Sequence, residues 1–280
     1  MHTSELTFET HLDVSDDSAD AVSLLASRTN LPKNAIKHAM QKGAVWLERG
    51  KQLKRIRRTK ISLRVHDQLH FYYNERVLNQ QPHPAKLIAD EGSYSIWFKP
   101  YGMLSQGSKW GDHCTIYRWV EQHLNPQRPA FIVHRLDRAA SGLMILAHQK
   151  RTAVYFSALF QKRKVEKKYR AIVSGEFPSE ATIKMPIDHK PAVSHVKRLS
   201  YANLSDQSLL EVNIETGRKH QIRRHLSEYG FPIVGDRLYG GAGVDDENNL
   251  QLVSCYLKFD PPDNQSPKEY VLPDEFRLRV

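Results

Sequence analysis

Two cysteines, Cys114 and Cys255, are the only thiols in this chain of 280 residues, and they stand far apart with no C-x-x-C spacing. Neither a disulfide framework nor a cysteine zinc site can organise the fold. Long apolar runs are missing as well, since none approaches the roughly 20 residues that a membrane-spanning helix needs. The start, Met1-His2-Thr3-Ser4-Glu5-Leu6, lacks the basic-then-apolar plan of a signal peptide, so a cytoplasmic protein without a membrane partner is expected. No G-x-G-x-x-G follows an expected strand and no G-x-x-x-x-G-K-[ST] occurs, which leaves dinucleotide and nucleoside-triphosphate binding unsupported. G-x-S-x-G is absent too; Ala139-Ala140-Ser141-Gly142 supplies only its tail.

What the chain has in excess is positive charge. The net charge is +10 and the pI about 9.5, a balance that favours a polyanionic partner through long-range attraction and counterion release. Acidic residues are absent from 49–64, where eight basic residues fall. A second cluster comprises Lys162, Arg163, Lys164, Lys167, Lys168 and Arg170, and a third Arg218, Lys219, Arg223 and Arg224. Any one cluster could be a solvated face. Three of them, interleaved with Trp46, Tyr72, Tyr73 and Tyr169, point to nucleic acid. An anionic membrane fits less well, because no strongly amphipathic basic helix with bulky aromatics is evident.

The polar, proline-bearing stretch 79–85 loses hydrophobic periodicity and reads as a linker. The expected division is 1–79 as a small domain with an N-terminal extension, 80–86 as linker, and 87–280 as a larger domain. In the first part, Val22, Leu25, Ala26 and Thr29 share one helical face, and Leu31, Ala35, Ile36, Ala39 and Met40 another. Pro32 suits the first turn of the second helix and Gly43 its stop. Lys33 and Lys37 then lie opposite Ile36 and Met40, free to meet phosphates. Strands are expected at 44–47, 63–65 and 69–73, with a turn at Arg49-Gly50. Leu31-Pro32-Lys33, Lys37, Gly43-Ala44-Val45 and the basic run 51–64 together resemble a small S4-type RNA-binding domain. A generic α/β cap with a basic surface is the other reading. Beyond the linker, helices are expected at 116–123 and 152–160, and strands at 95–98, 143–147, 169–173, 208–214 and 250–259. That irregular mixture predicts an α+β fold rather than a regular parallel βαβ array.

Two segments carry chemistry. In the first, 133–147, Asp137 is flanked by Arg135 and Arg138 and leads through Ser141-Gly142 into a wholly apolar strand. A carboxylate fixed before a buried strand, beside cations that favour its charged form, suits a nucleophile or general base. Pattern alone leaves a structural Asp–Arg pair open. The second, 215–226, ends a strand, turns at Gly217 and begins a helix in which Ile222 and Leu226 point inward and Arg223 elsewhere. His220 and His225 lack the one-turn spacing of H-E-x-x-H and have no third ligand, so no metal is expected.

These segments, with Pro232-Ile233-Val234-Gly235-Asp236-Arg237-Leu238-Tyr239-Gly240, closely resemble the signatures of the RluA-type pseudouridine synthases. Lys99-Pro100-Tyr101-Gly102 and the run from Lys168 to Gly175 match in the same order. An S4-type domain ahead of the catalytic one is a recurring arrangement in that family. The resemblance implies a catalytic domain with a mixed, mainly antiparallel sheet flanked by helices and loops, and isomerisation of specific uridines in structured RNA, with large-subunit ribosomal RNA the expected substrate and transfer RNA the alternative. No cofactor and no obligate protein partner are expected, and a monomer is the default. A non-catalytic RNA-binding protein on the same scaffold is the alternative. By the same resemblance, Asp137 is the aspartate that attacks the target nucleotide, Tyr169 packs on the target base, and Arg223 pairs with the catalytic carboxylate. Arg135 fills the space left by the flipped base. His134, Arg138, Arg218, His220 and Gln221 join Lys33 and Lys37 as expected RNA contacts. The chain departs from the family at Ala140, where threonine is usual, and at Lys219 and Arg224, which add charge beside the motif.

Overall fold

The computed structural model describes residues 5–17, 20–241, 248–263 and 266–280. The chain forms two units, one of residues 1–82 with 106–119, the other of residues 83–105 with 120–280.

The first unit opens with a strand where the sequence suggested only an extension: β1 (Thr7–Asp13) alternates exposed and half-buried side chains, with Phe8 and Leu12 inward. Only two apolar residues mark this edge strand, too few to read from periodicity. Helix α1 (Ala21–Thr29) starts where the Asp20 carboxylate accepts the Ser23 amide at 2.9 Å, an N-cap bond. Helix α2 (Lys33–Gln41) follows, with Pro32 at its N-cap rather than in its first turn. Gly43, at φ +83°, ends it in a conformation that glycine adopts freely. Then come β2 (Val45–Arg49), β3 (Gln52–Arg55), β4 (Gln68–Asn74) and the short α3 (Glu75–Asn79). The strands pair antiparallel in the order β1-β4-β2-β3. Val22, Leu25, Ile36 and Met40 bury against Val45, Leu47, Leu69 and Phe71. The strand expected at 63–65 does not form; Leu63 plugs this core from irregular chain, as Ile56 does. Their apolar spacing marks anchors, not a pleat.

The basic run is divided by its partners. Arg49 makes a bidentate pair with buried Asp67, Nε and Nη2 donating at 2.8 and 2.6 Å. Arg55, Arg57 and the Tyr117 hydroxyl converge on the buried carboxylate of Asp112. Lys51, Lys54, Arg58 and Lys60 stay exposed.

The second unit comprises β5 (Lys86–Asp90), β6 (Tyr94–Lys99), β7 (Phe131–Ile132), β8 (Ser141–Ala147), α5 (Lys150–Gln161) and β9 (Glu166–Ser174). It continues with β10 (Glu180–Ile183), β11 (Ser194–Ala202), β12 (Gln207–Ile214), α6 (Gln221–Glu228), β13 (Leu252–Phe259) and β14 (Lys268–Val271). Between β6 and β7 the chain also forms α4 (Ile116–His123). The ten-stranded sheet runs β10-β11-β12-β9-β13-β8-β6-β5, with β14 on β13 and β7 on β8. Every pair is antiparallel except β8 with β13, so the fold is α+β with a mixed sheet. Strands β10 and β11 escaped the sequence reading because β11 is polar, one face solvated. β8 was legible for the opposite reason, since residues 142–147 are all buried and make a continuous apolar run. Phe156 and Leu159 of α5 pack on Leu143, Ile145 and Val253.

One close approach fixes the strand that follows Asp137. Gly142 has φ +119°, and a Cβ there would lie 2.3–2.8 Å from the backbone of Ser254 on β13. Gly142→Ala is expected to destabilise the protein by roughly 2 kcal/mol or more, since overpacking costs about 1–3 kcal/mol and the φ adds strain. Urea denaturation checks this; an unchanged midpoint would mean that β8 and β13 separate there without cost.

Candidate active site

Asp137 lies in the loop between β7 and β8, where irregular backbone needs side chains to satisfy it. Ser105, buried, does this for Leu136: its Oγ accepts the Leu136 amide at 3.0 Å and donates to the Leu136 carbonyl at 2.6 Å. The Ala140 amide bonds to the Asp137 carbonyl at 3.2 Å, closing the turn. On the other side, the Arg138 carbonyl accepts the Gly102 amide at 2.9 Å and the Lys99 ammonium at 3.5 Å. The Asp137 side chain is thereby presented, 29% exposed, from a pinned loop.

Two side chains from the start of α6 approach it, the Arg223 guanidinium and the His220 imidazole. Arg223 Nη1 stands 3.6 Å from Asp137 Oδ2, and His220 Nε2 stands 3.8 Å from Oδ1. Arg223 is not turned away from the core as the helical pattern suggested; it is 4% exposed alongside Ile222 and Leu226. The reason is Asp236, 1% exposed, which accepts Arg223 Nε at 2.8 Å and Nη2 at 2.7 Å. A buried guanidinium needs such a fork–fork partner. Burial opposes the charge on both groups, but their mutual bonds outweigh it, holding Asp236 below and Arg223 above their ordinary values. With Nε and Nη2 committed to Asp236, only the Nη1 edge faces Asp137. His220 carries a left-handed backbone (φ 55°) at the N-terminus of α6, a strained conformation of the kind that clusters at functional sites. Its Nδ1 shares a 2.9 Å hydrogen bond with the Tyr239 hydroxyl, and Arg223 lies over the Tyr239 ring at 5.1 Å. Burial lowers the imidazole's proton affinity, with the Asp137 charge opposing.

Tyr169 reaches the same region from β9. It sits opposite Ser254 where the pairing with β13 slips by one residue between Ser254 and Tyr256, a β-bulge of the sort that re-aims side chains beside active sites. Burial, with the Asp137 charge adding to it, pushes the Tyr169 phenol well above its ordinary value, so it stays neutral. Lys99, at the end of β6, is fully buried. Its ammonium donates to the carbonyls of Met103 at 2.8 Å and Pro100 at 3.1 Å. Burial drives its pKa down to about 7, with Asp137 partly offsetting the shift.

The other sequence-predicted residues divide. Arg135 and Arg138 are exposed, and Arg138 Nε donates to the Gly102 carbonyl at 3.2 Å. His134 turns into the packing: its Nε2 accepts the Ile145 amide at 2.9 Å, its ring stacks on Phe160 at 4.5 Å, and burial pushes it down to about 3. Gln221 is buried and holds the 215–221 turn, accepting from Thr216 and the Arg218 amide and donating to the Val193 carbonyl. The Arg218 side chain bonds to the Pro191 carbonyl at 3.2 Å. His225, weighed with His220 as a metal ligand, is buried between Ser194 and the Met185 carbonyl. In the first unit, Lys33 and Lys37 are exposed on α2, with Lys33 within 2.8 Å of Ser23 Oγ. Ser105 has no sequence signal, being one serine in a polar stretch. Asp236, Tyr239 and Lys99 lay inside recognised motifs, yet nothing in a linear pattern says that Asp236 would orient Arg223.

Lys99 gives a pH test. Its folded pKa, about 7, lies below the ordinary 10.5, so between those values the unfolded chain binds more protons and stability from this group rises with pH. Below pH 7 the full penalty of the buried charge remains. The unfolding free energy of wild type minus that of Lys99→Met is expected to grow from pH 7 towards pH 10 in urea titrations. A pH-independent difference would mean that Lys99 keeps its ordinary proton affinity.

Residues 93–228 match the RNA pseudouridylate synthase family. The chain is 42% identical over 123 residues to an uncharacterised RNA pseudouridine synthase of Chloroflexus aurantiacus, covering 39% of this chain and 38% of that one. It is 30% identical over 223 residues to the ribosomal large subunit pseudouridine synthase D of Borreliella burgdorferi, covering 68% of this chain and 67% of that one. The chain spans only 38–62% of the length of several other curated relatives, the Chloroflexus protein among them. The structure of human RNA pseudouridylate synthase domain containing 1 superposes with a TM-score of 0.60 at 22% identity, covering 71% of this chain and 88% of that one, a likeness of fold. With that extent of likeness to the Borreliella enzyme and the family match across the Asp137 and Arg223 segments, the chain belongs to the RNA pseudouridine synthase family.

Proposed function

We propose that the protein isomerises uridine to pseudouridine within structured RNA, with Asp137 as the nucleophile that attacks the target nucleotide. The observation that carries this reading is the setting of Asp137: a carboxylate on a pinned loop, 3.6 Å from an arginine that Asp236 holds in place. The reaction breaks the C1′–N1 bond, turns the uracil and rejoins it through C5; the C5 proton leaves as N1 gains one, and the bond formed by Asp137 breaks to regenerate the carboxylate. Atoms are conserved, and no electron is gained or lost. Arg223 steadies the charge on Asp137 through its one free edge. Tyr169, held neutral, offers a stacking face to the uracil and a hydroxyl in a rigid side chain. Arg135, exposed beside the nucleophile, fills the space of the flipped base, since a guanidinium plane stacks on bases.

Large-subunit ribosomal RNA is the proposed substrate, supported by the likeness to the Borreliella ribosomal large subunit pseudouridine synthase D; transfer RNA is the alternative. The first unit is proposed to act as an S4-type RNA-binding domain. Two helices packed on a four-stranded sheet, with Lys33 and Lys37 exposed on α2, support that reading. We also propose that the protein works as a cytoplasmic monomer without an obligate protein partner.

Tritium release from RNA labelled at uracil C5 tests the reaction. Wild type is expected to release tritium from a ribosomal RNA fraction, and Asp137→Ala to release none while binding the RNA within about twofold of wild type, because affinity comes from Lys and Arg contacts to phosphate. Loss of binding by Asp137→Ala would make the residue structural, and release from transfer RNA alone would change the substrate. For the first unit, Lys33→Glu with Lys37→Glu is expected to weaken RNA binding and to reduce the salt slope by about 2, one for each lost phosphate contact. An unchanged slope would remove α2 from the interface.

A further inference from the structure

Leu238 is 67% exposed, a large apolar side chain in water beside the site just described. Single exposed leucines are ordinary on protein surfaces. Leu204 is another, fully exposed in the 203–206 turn between β11 and β12. Leu238 differs from it in two respects.

Its backbone is fixed. The buried Asp236 carboxylate accepts the Leu238 amide at 3.0 Å and the Tyr239 amide at 3.1 Å through Oδ1. The Gly240 amide closes on the Asp236 carbonyl at 2.8 Å, and Ser227 on α6 donates to the Tyr239 carbonyl at 2.6 Å. Its neighbours are also wired to the nucleophile. Asp236 grips Arg223, which stands 3.6 Å from Asp137. Tyr239 bonds to His220, which stands 3.8 Å from Asp137. Asp236 uses one oxygen, Oδ1, both for the arginine and for the turn that holds Leu238 out. The geometry of the nucleophile and the placement of this leucine are set by the same carboxylate.

We propose that Leu238 is an RNA-contacting wedge that packs on the face of the nucleobase next to the target uridine. The inference rests on the isomerase reading above. Taking a base out of its stack leaves a neighbour with an uncovered apolar face, and leucine is among the side chains that proteins insert at such steps. A wedge must be apolar, exposed before binding, and rigid, so that little freedom is lost on contact. Leu238 meets all three conditions. Its role complements that of Arg135: the guanidinium occupies the hole, and the leucine covers the adjoining base.

The test uses the full chain and RNA labelled with tritium at uracil C5. Leu238→Ala is expected to lower kcat/KM for tritium release at least tenfold with an unchanged melting temperature, because the side chain is mostly solvated in the free protein. Leu238→Met, with similar apolar reach, is expected to regain most of that rate. Leu204→Ala should match wild type, showing that the loss is specific to the site. If Leu238→Ala releases tritium at the wild-type rate while Asp137→Ala releases none, the wedge is overturned and the isomerase reading stands. If Leu238→Ala loses rate only together with melting temperature, the residue is structural and the wedge is likewise overturned. If wild type releases no tritium, the isomerase reading fails and the wedge falls with it.

Discussion

The bidentate bond between Arg223 and Asp236 is the constraint on which the site depends. An arginine brought into the interior by α6 would be prohibitive alone, and a carboxylate buried beside it equally so. Paired, they satisfy one another and leave one guanidinium edge directed at Asp137. The distance matters to the chemistry. A fully formed Arg223–Asp137 bridge would occupy the carboxylate, whereas a guanidinium held at 3.6 Å by a third group can steady its charge and leave its oxygens available. Asp236 also builds the turn through Leu238 and Tyr239, so a single buried carboxylate coordinates the arginine and the rim of the site.

Around this pair, burial sets protonation. Tyr169 is kept neutral by enclosure and by the nearby carboxylate. Lys99, deeply buried in the second unit's core, sits among backbone carbonyls, which accept its hydrogen bonds but do not cancel its charge. The loop bearing Asp137 thus hangs from two polar anchors, Ser105 on one side and Lys99 on the other. The bulge between Ser254 and Tyr256 places its extra residue, Cys255, on β13 opposite Tyr169 and Lys168, and the alternation of β9 turns Tyr169 away from its basic neighbours.

The first unit shows why a count of basic residues overstates a binding surface. Of the run 49–64, Arg49, Arg55 and Arg57 are bonded to buried carboxylates of the same unit, and those pairs hold irregular chain in place. Lys51, Lys54, Arg58 and Lys60 remain exposed for a polyanion to meet. The inward role falls to arginines, whose planar fork matches a carboxylate, while the lysines stay outward because a strongly hydrated ammonium resists burial.

Sequence by itself determined the elements with strong periodicity or full burial: α1 and α2 from their apolar faces, β8 from its unbroken apolar run, and the α+β class from the mixture. It also determined the family, because the motifs around Asp137, Tyr169 and Arg223 are dense local strings that do not depend on folding to be read. Polar edge strands such as β1 and β11 were hidden, since half-solvated strands carry few apolar residues and their partners lie far along the chain. Hidden too were the ties that make the motifs into a site. Ser105 bonds across 31 residues to Leu136, and Asp236 across 13 to Arg223. His134, placed by its motif near Asp137, is drawn instead into the packing by an unmet amide of β8. Only the tertiary structure decided these assignments, because the need of a buried polar group for a partner is met wherever the fold brings one, not where the sequence places it.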